Sequence, residues 1–304
     1  MSGGAVVGFV GVGSMGAGMA RCLLRGGWGV RLFARRPEAA APLVQAGAVA
    51  ASTLAELGRS TRLVILSLPD AAAVEDVLFG ADPLADALAA GSTVVDTSTI
   101  AAGSARDIGA RLAERGLSFV DAPVSGGQQG AEAGTLGCMA GGEREAVDAC
   151  RPALAAFCKT VTHVGALGAG QTVKACNQVA VAGALLGVAD ALALARLQGV
   201  DPTVMRDVLL GGSARSFSLE KHAPRIVAGD LAPGFRARLM RKDLRLALDT
   251  ARAEGAVLPA TALAERLLDE LTESGRGDWD WCALALRVQE LSGAAAAEAA
   301  APPR

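Results

Sequence analysis

Between residues 5 and 165 the sequence alternates short β-rich runs with helical ones, and no other feature limits the fold as strongly. The β-rich runs are AVVGFVG, GVRLFAR, RLVILSLP, STVVDTST and SFVDAPV. Near-continuous apolar runs are typical of strands that are buried on both sides, as in a parallel sheet covered by helices on both faces. We therefore predict an α/β domain in the first half of the chain.

After VTHVGALGAG the strand signals stop. Helical patterns cover residues 171–198, 202–210, 235–254 and 261–274, several of them bounded by Gly or Pro. A chain of 304 residues exceeds the usual size of one compact domain. We predict a dinucleotide-binding domain over 1–165, an all-α domain over 166–292 and a disordered low-complexity tail over 293–304.

Composition disfavours several classes of partner. The net charge of −2 gives no attraction for polyanions, and 3% aromatic residues supply few platforms for bases, so we expect no nucleic acid partner. The longest uninterrupted apolar run, Val179 to Ala189, is shorter than the ~18 residues of a membrane span. The N-terminus lacks a basic segment followed by an apolar one, and the six cysteines are scattered, so we expect a cytoplasmic protein with reduced thiols.

A glycine-rich turn follows the first predicted strand. It matches GxGxxG with a strand before it and a helix after it, the context in which this motif binds a dinucleotide. The first glycine permits the tight turn, the second lets a pyrophosphate approach the backbone, and the third lets the helix pack closely on the strand. The predicted cofactor-binding residues here are Gly11, Val12, Gly13, Ser14, Met15 and Gly16.

The residues after the second predicted strand discriminate between the two nicotinamide dinucleotides. An acidic side chain at this place binds the adenosine ribose hydroxyls of NAD. This chain has Arg35 and Arg36 instead, and guanidinium groups favour the 2′-phosphate of NADP. We expect NADP(H) to be preferred, with NAD(H) possible; the alternative is that one of the arginines is an ordinary solvated charge.

A lysine precedes the apolar run of the second half. Lys174, Asn177 and Gln178 have the spacing i, i+3, i+4, which places them on one face of a helix. Burial of an ammonium costs several kcal/mol unless the charge is needed. Lys174 is therefore a candidate catalytic residue.

Two strand ends are further candidates, because ligands of open α/β sheets bind at the carboxyl ends of the strands. Leu68 and Pro69 end one run, so backbone contact with the cofactor is predicted there, although a simple strand terminator would look the same. Thr99 ends the next run, and Asp96 in the same stretch is expected to cap a turn. The two histidines, His163 and His222, are far apart and outside any carboxylate cluster, so no metal site is predicted.

With the glycine turn, the stretches FVDAPVSGGQQGAEAGTL, GAGQTVKACNQ and MRKDLRLAL make the chain resemble the β-hydroxyacid dehydrogenase family over residues 5–292. This family includes 3-hydroxyisobutyrate dehydrogenase and tartronate semialdehyde reductase. The resemblance implies a Rossmann-type N-terminal domain, an all-α C-terminal domain and an active site in the cleft between them.

The same resemblance implies roles for particular residues. It makes Lys174 the catalytic lysine, and it places Thr99 near the nicotinamide ribose and Lys242 on the cofactor. A lysine removed from water gives up its proton more readily and can act as acid or base. The residues expected to bind substrate are Ser125, Gly126, Gly127, Asn177, Gln178 and Ser216. Asp243 is expected to pair with Lys174 or with another helix.

Where relatives have a D-x-S-A segment, this chain has GDWDWCALAL, so Trp281 could narrow the substrate site or form a subunit contact. Arg215 is either an extra cation for an acidic substrate or a surface charge. We expect an NADP(H)-preferring oxidoreductase for a small β-hydroxyacid and its semialdehyde, with tartronate semialdehyde the first choice. The alternatives are a 3-hydroxyisobutyrate or L-serine/L-threonine dehydrogenase, or a silent dinucleotide-binding module. The long apolar helix after Val179 predicts a homodimer or homotetramer.

Overall fold

The computed structural model describes residues 5–293, and the chain divides into two compact units, Met1–Lys174 and Ala175–Arg304. The first unit contains the sheet with its helices, and the second is helical. The predicted fold class, an α/β Rossmann-type domain followed by an all-α domain, is thereby confirmed. The division after residue 165 stays a prediction, and residues 294–304 of the predicted tail lie outside the described part.

The sheet of the first unit has nine strands in the described chain. They are β1 (Val6–Val10), β2 (Gly29–Phe33), β3 (Val49–Ala50), β4 (Leu63–Leu66), β5 (Thr93–Asp96), β6 (Ser118–Asp121), β7 (Val124–Ser125), β8 (Leu136–Gly141) and β9 (Cys158–Gly165). Their order is β3-β2-β1-β4-β5-β6-β8-β7, with β9 paired to β8. The strands from β3 to β6 are parallel, as predicted, whereas β8 runs antiparallel to β6 and β7.

Alternate residues of the central strands enter two different hydrophobic cores. In β4, Val64 and Leu66 belong to one core and Ile65 belongs to the other. In β5, Val94 and Val95 divide in the same way. Because successive strand residues point to opposite faces, helices must cover both sides of the sheet.

The helices that cover the sheet follow the strands in sequence order. They are α1 (Ser14–Arg25), α2 (Pro37–Gln45), α3 (Leu54–Arg59), α4 (Ala71–Phe79), α5 (Leu84–Ala87), α6 (Ala102–Ala113), α7 (Gly127–Ala133) and α8 (Arg144–Leu154). Local sequence fixes several of their starts: Asp70 caps α4 by accepting the Ala73 N–H at 2.9 Å, and Thr53 caps α3 through the Glu56 N–H.

The helix α9 (Ala169–Leu197) contains the division between the units, so Lys174 is the last residue of the first unit and Asn177 lies in the second. The second unit continues with α10 (Pro202–Leu210), α11 (Ala223–Ala228), α12 (Ala237–Ala253), α13 (Pro259–Leu271) and α14 (Leu284–Leu291). Its core joins the inner face of the later part of α9 to residues such as Met240 and Leu268.

By length and composition alone, α9 is apolar enough to cross a membrane, with a mean hydropathy of 1.8 over its most apolar window. Half of that window is buried inside the protein. A core helix of a soluble protein meets the same criterion, and α9 contributes Leu185, Ala189 and Leu192 to the core of the second unit.

Candidate active site

The glycine turn between β1 and α1 is fixed by close packing at two of its three glycines. Gly11 has φ +96°, and a Cβ on it would lie 2.2 Å from the Ser67 carbonyl oxygen. A Cβ on Gly16 would lie 1.8 Å from the Gly11 carbonyl oxygen. Only glycine fits at these two positions.

Gly13 is different, because no described atom beyond its own neighbours in the chain lies within 4 Å of the place where its Cβ would stand. Gly13 and Ser14 are exposed, while Val12 and Met15 are partly buried. In the described chain no side chain caps the first N–H groups of α1, and its first turn has no acidic residue. Helix N–H groups beside open space suit a phosphate, so this turn fits the pyrophosphate of a dinucleotide.

The end of β2 presents two cations. Arg35 and Arg36 are exposed, and neither forms an ion pair with any residue between 5 and 293. Arg36 is also the N-cap residue of α2, directly before its first residue, Pro37. Two guanidinium groups therefore stand where a carboxylate would bind the ribose hydroxyls of NAD.

The exits of β4 and β5 are joined by hydrogen bonds. The Leu68 N–H donates to Ser98 Oγ over 2.8 Å, and the Thr97 hydroxyl donates to the Leu66 carbonyl over 2.6 Å. The Ser98 N–H donates to Asp96 Oδ1 over 2.9 Å, which is the turn-capping role predicted for Asp96. These bonds hold the backbone around Thr99, which is itself partly exposed, while Pro69 is exposed.

The first turn of α9 is bonded to the exit of β6 through one buried carboxylate. Asp121 is fully buried, and its two oxygens accept the N–H groups of Gly168 and Gln171, each over 2.8 Å. Burial raises the pKa of Asp121, although these backbone N–H bonds oppose the rise. The approach is so close that a Cβ on Gly141 would lie 2.4 Å from Asp121 Oδ1.

Gln171 connects the same turn to the exit of β5. Its Nε2 donates to the Ser98 carbonyl over 2.9 Å, and its Oε1 accepts the Ile100 N–H over 3.1 Å. Gln171 is 2% exposed, so both ends of its amide are satisfied inside the protein. Lys174 follows three residues later on the buried face of α9 and is 7% exposed.

The predicted substrate loop follows β6. Ser125 ends β7 and is partly exposed, and Gly126 and Gly127 have φ +134° and +64°. A side chain is strained at such angles, so both positions favour glycine. A Cβ on Gly127 would meet no described atom within 4 Å, which leaves this backbone open to a ligand.

In the second unit, Gln178 and Asp243 form a buried hydrogen-bonded group. Gln178 Nε2 donates to Asp243 Oδ2 over 2.7 Å, and Gln178 Oε1 accepts from Asn177 Nδ2 over 2.8 Å. The Lys242 ammonium lies 3.2 Å from Asp243 Oδ1. Within the second unit, Asp243 thus pairs α12 with another helix, α9, through Gln178.

The other candidates of the second unit have structural contacts. Ser216 Oγ accepts the Leu219 N–H over 3.1 Å and so caps a turn. Arg215 is exposed and lies 3.8 Å from Glu220, which agrees with a surface charge. Trp281 is 5% exposed and packs in the core, which argues against a subunit contact through its ring.

One grouping was not expected from the sequence. Potential ligand atoms of His222, Asp280 and Cys282 lie within 4.8 Å of one another. Asp280 already accepts the N–H groups of Gly234 and Cys282 and forms an ion pair with Arg225 at 3.2 Å. Burial favours a higher pKa for Asp280, but the Cys282 bonds and the Arg225 charge outweigh it and hold that pKa below its usual value. We interpret these side chains as structural groups that stabilise the chain around Asp280.

Sequence reasoning did not single out Asp121, Gln171 or Ser98. Each is a polar residue in an otherwise buried setting at a strand exit or helix start. The spacing of three between Gln171 and Lys174 was the available signal, since it places both on one helix face.

The glycine turn, the cations after β2 and the buried lysine define a nicotinamide dinucleotide-dependent oxidoreductase. Residues 6–165 match the NAD binding domain of 6-phosphogluconate dehydrogenase, and residues 168–288 match the NAD-binding domain of NADP-dependent 3-hydroxyisobutyrate dehydrogenase. The chain belongs to the β-hydroxyacid dehydrogenase family.

Individual relatives differ in substrate. The chain is 37% identical to 2-hydroxy-3-oxopropionate reductase of Escherichia coli, covering 94% of this chain and 98% of that protein. It is 38% identical to the NAD-dependent L-serine dehydrogenase of Pseudomonas aeruginosa, covering 90% and 95%. A solved structure described as Psf3 in complex with NADP+ and 2-OPP is 32% identical, with a TM-score of 0.84 over 92% of this chain and 99% of that one.

Proposed function

We propose that this enzyme is an NADP(H)-preferring reductase that interconverts a small β-hydroxyacid and its semialdehyde, with 2-hydroxy-3-oxopropionate (tartronate semialdehyde) as the first substrate to test. The observation that carries the proposal is Lys174, which is 7% exposed and lies one helical turn after residues bonded to the exits of β5 and β6. A silent binding module would have no use for an ammonium at such a buried position.

A bound nicotinamide supplies or accepts the hydride in this chemistry. Lys174 then has the task of donating a proton to the carbonyl oxygen in the direction of reduction, and of accepting the hydroxyl proton in reverse. Ser125 and the backbone N–H groups of Gly126 and Gly127 are assigned to the substrate carboxylate, because the open backbone at Gly127 offers donors without a competing side chain.

The remaining assignments rest on the family resemblance. We assign Asn177, Gln178 and Ser216 to substrate binding. Thr99, Leu68, Pro69 and Lys242 are assigned to the cofactor. The Leu68 N–H is already bonded to Ser98, so a cofactor contact at Leu68 would use its carbonyl or its side chain.

The preference for NADP(H) is supported by Arg35 and Arg36, which are exposed and without an ion-pair partner among residues 5–293. A relative of 38% identity is named as NAD-dependent, so membership of the family does not decide the cofactor. The local charge after β2 therefore carries this part of the proposal.

L-Serine oxidation is the second candidate, because the serine dehydrogenase is as similar to this chain as the 2-hydroxy-3-oxopropionate reductase is. Oxidation of 3-hydroxyisobutyrate or L-threonine belongs to the same alternative. The family resemblance favours the first candidate, since the pair Asn177-Gln178 resembles the tartronate semialdehyde reductase pattern slightly more than the Asn-Asn of many relatives does.

We further propose a cytoplasmic homodimer or homotetramer with neither nucleic acid nor membrane as a partner. Exposed apolar side chains at the end of α9 and along α10 support a subunit contact: Leu194, Leu197, Val204 and Val208. Six free cysteines, five of them buried, support a reducing compartment.

The proposal is tested by following NADPH oxidation with tartronate semialdehyde, methylmalonate semialdehyde, succinic semialdehyde and glyoxylate, and NADP+ reduction with L-serine. Lys174→Ala is expected to bind NADPH normally, as measured by fluorescence titration, and to lose about 10² to 10⁴-fold in kcat. Lys159→Ala, an exposed lysine of the same unit, is the control. Unchanged turnover by Lys174→Ala would remove the proton donor from the mechanism.

A further inference from the structure

Hydrogen bonds link Gln171 directly or through Ser98 to three strand exits of the first unit. Gln171 holds the backbone on both sides of Thr99, since its Nε2 binds the Ser98 carbonyl and its Oε1 binds the Ile100 N–H. Ser98 in turn accepts the Leu68 N–H, and so ties in the exit of β4. The backbone N–H of Gln171 donates to Asp121 at the exit of β6.

Lys174 is three residues further along the same helix. A helix rises about 1.5 Å per residue, so the two residues lie one turn apart on the same face. Gln171 and Lys174 are both buried, and their backbones belong to the same helix. The amide of Gln171 therefore fixes how far the Lys174 backbone stands from the loop that carries Thr99.

We propose that Gln171 is a positioning residue that sets Lys174 against the exits of β4 and β5, where the family places the nicotinamide. This inference rests on the proposed function, in which Lys174 transfers the proton. An apolar residue of the same size would leave the Ser98 carbonyl and the Ile100 N–H buried without partners. The loop and the helix would then separate, and a displacement of about 1 Å at a reacting group can cost about 10²-fold in rate.

The decisive variant is Gln171→Glu, because the pH of the assay determines whether the new carboxyl group is protonated or ionised. A protonated glutamic acid copies the amide, with its O–H donating to the Ser98 carbonyl and its C=O accepting the Ile100 N–H. An ionised glutamate has no proton to donate, so its charged oxygen repels the Ser98 carbonyl oxygen. The surrounding network already contains the buried carboxylates of Asp96 and Asp121. Acid should therefore restore the native arrangement.

The measurement is kcat per NADPH-binding site as a function of pH, relative to the wild-type enzyme at each pH. Dividing by the wild-type kcat at each pH removes the pH dependence that the two proteins share. Counting only sites that bind NADPH removes any loss of folded protein, which a purely structural role would cause. Gln45→Glu and Gln45→Leu, at an exposed glutamine of the same unit, are the controls.

The expected result is a ratio for Gln171→Glu that falls as the pH rises, above a Gln171→Leu ratio that stays low by roughly tenfold to a hundredfold. Wild-type kcat in Gln171→Leu would overturn the proposal, and so would a Gln171→Glu enzyme no better than Gln171→Leu at the acidic end. If Gln171→Leu does not fold, the fall of the Gln171→Glu ratio with pH decides alone. Lys174→Ala separates the two claims: its full activity would refute the proposed function, whereas its inactivity beside a fully active Gln171→Leu would refute only the positioning role.

Discussion

Gln178 donates its side-chain amide to the Asp243 carboxylate over 2.7 Å, and the two residues are only 4% and 3% exposed. Replacing Gln178 with Leu keeps the volume but removes the donor from a buried charge. We expect the free energy of unfolding to fall by about 1 to 3 kcal/mol, since the buried Oδ2 of Asp243 loses the amide that donates to it. Urea unfolding followed by circular dichroism measures this change.

The matched control is Gln128→Leu. Gln128 also donates to a carboxylate, that of Glu132 over 3.1 Å, but this pair is exposed to water. Its loss should change the free energy of unfolding by less than about 0.5 kcal/mol. Equal losses at the two positions would mean that burial does not strengthen the bond between Gln178 and Asp243.

Two glycines of the same turn are expected to respond to alanine in opposite ways. Gly13 has open space at its Cβ position and φ −71°, so Gly13→Ala should fold normally but obstruct the pyrophosphate. A Cβ on Gly16 would lie 1.8 Å from a backbone oxygen, so Gly16→Ala should unfold at a lower temperature. Thermal unfolding and NADPH titration of both variants give the comparison. A normal NADPH affinity in Gly13→Ala would place the cofactor elsewhere.

Arg35 and Arg36 are predicted to create the preference for NADPH. Removing either guanidinium should lower kcat/KM for NADPH by about tenfold, because a charge-assisted bond to the 2′-phosphate contributes about 1.5 kcal/mol or more, while kcat/KM for NADH stays the same. Arg144→Ala, at an exposed arginine on another helix, should alter neither value. An equal preference for the two cofactors in the wild-type enzyme would contradict the prediction at once.

The sequence predicted the parts of the fold that have a periodic signal. Five apolar runs became β1, β2, β4, β5 and β6, and the helical patterns became α9, α10, α12 and α13 with ends shifted by a few residues. Short strands such as β3 and β7 have two residues each, too few to show any period. The antiparallel pairing of β8 depends on the turn after β6, for which the apolar pattern carries no information.

The candidate site divides in a similar way. The glycine turn and the lysine can be recognised in the sequence because their residue types are unusual for their surroundings. Gln171 and Asp121 cannot, since their importance arises from partners 47 or more residues away, such as Ser98 for Gln171, and Gly168 with the Gln171 N–H for Asp121. Contacts of that range follow from the topology of the sheet and are absent from local spacing.

Asp121 should give the protein a stability that depends on pH. Because burial raises its pKa above the ordinary 3.8, the folded state binds its proton more tightly than the unfolded state does. Its contribution to stability is therefore largest below pH 3.8 and is lost as the pH rises through the folded-state pKa. Asp121→Asn cannot ionise, so the variant should gain on the wild type as the pH rises. Urea unfolding of both proteins between pH 3.5 and 7 tests the sign; a wild type that gains instead would mean that the N–H bonds of Gly168 and Gln171 outweigh burial.

The exposed apolar residues at the end of α9 and on α10 are predicted to be covered by a second copy of the chain. Leu194 and Val208 are 62% and 70% exposed, and a glutamate at either place would put a charge into a subunit contact. Light scattering should then show a mass that falls from a multiple of 30.5 kDa toward that value. Val257→Glu, at a valine that is 81% exposed on a different segment, should leave the mass unchanged. A wild-type protein that is monomeric without detergent would refute the subunit contact. Sedimentation of the wild-type protein with lipid vesicles would instead assign these exposed apolar residues to a membrane surface, since α9 is apolar enough for a membrane by composition alone.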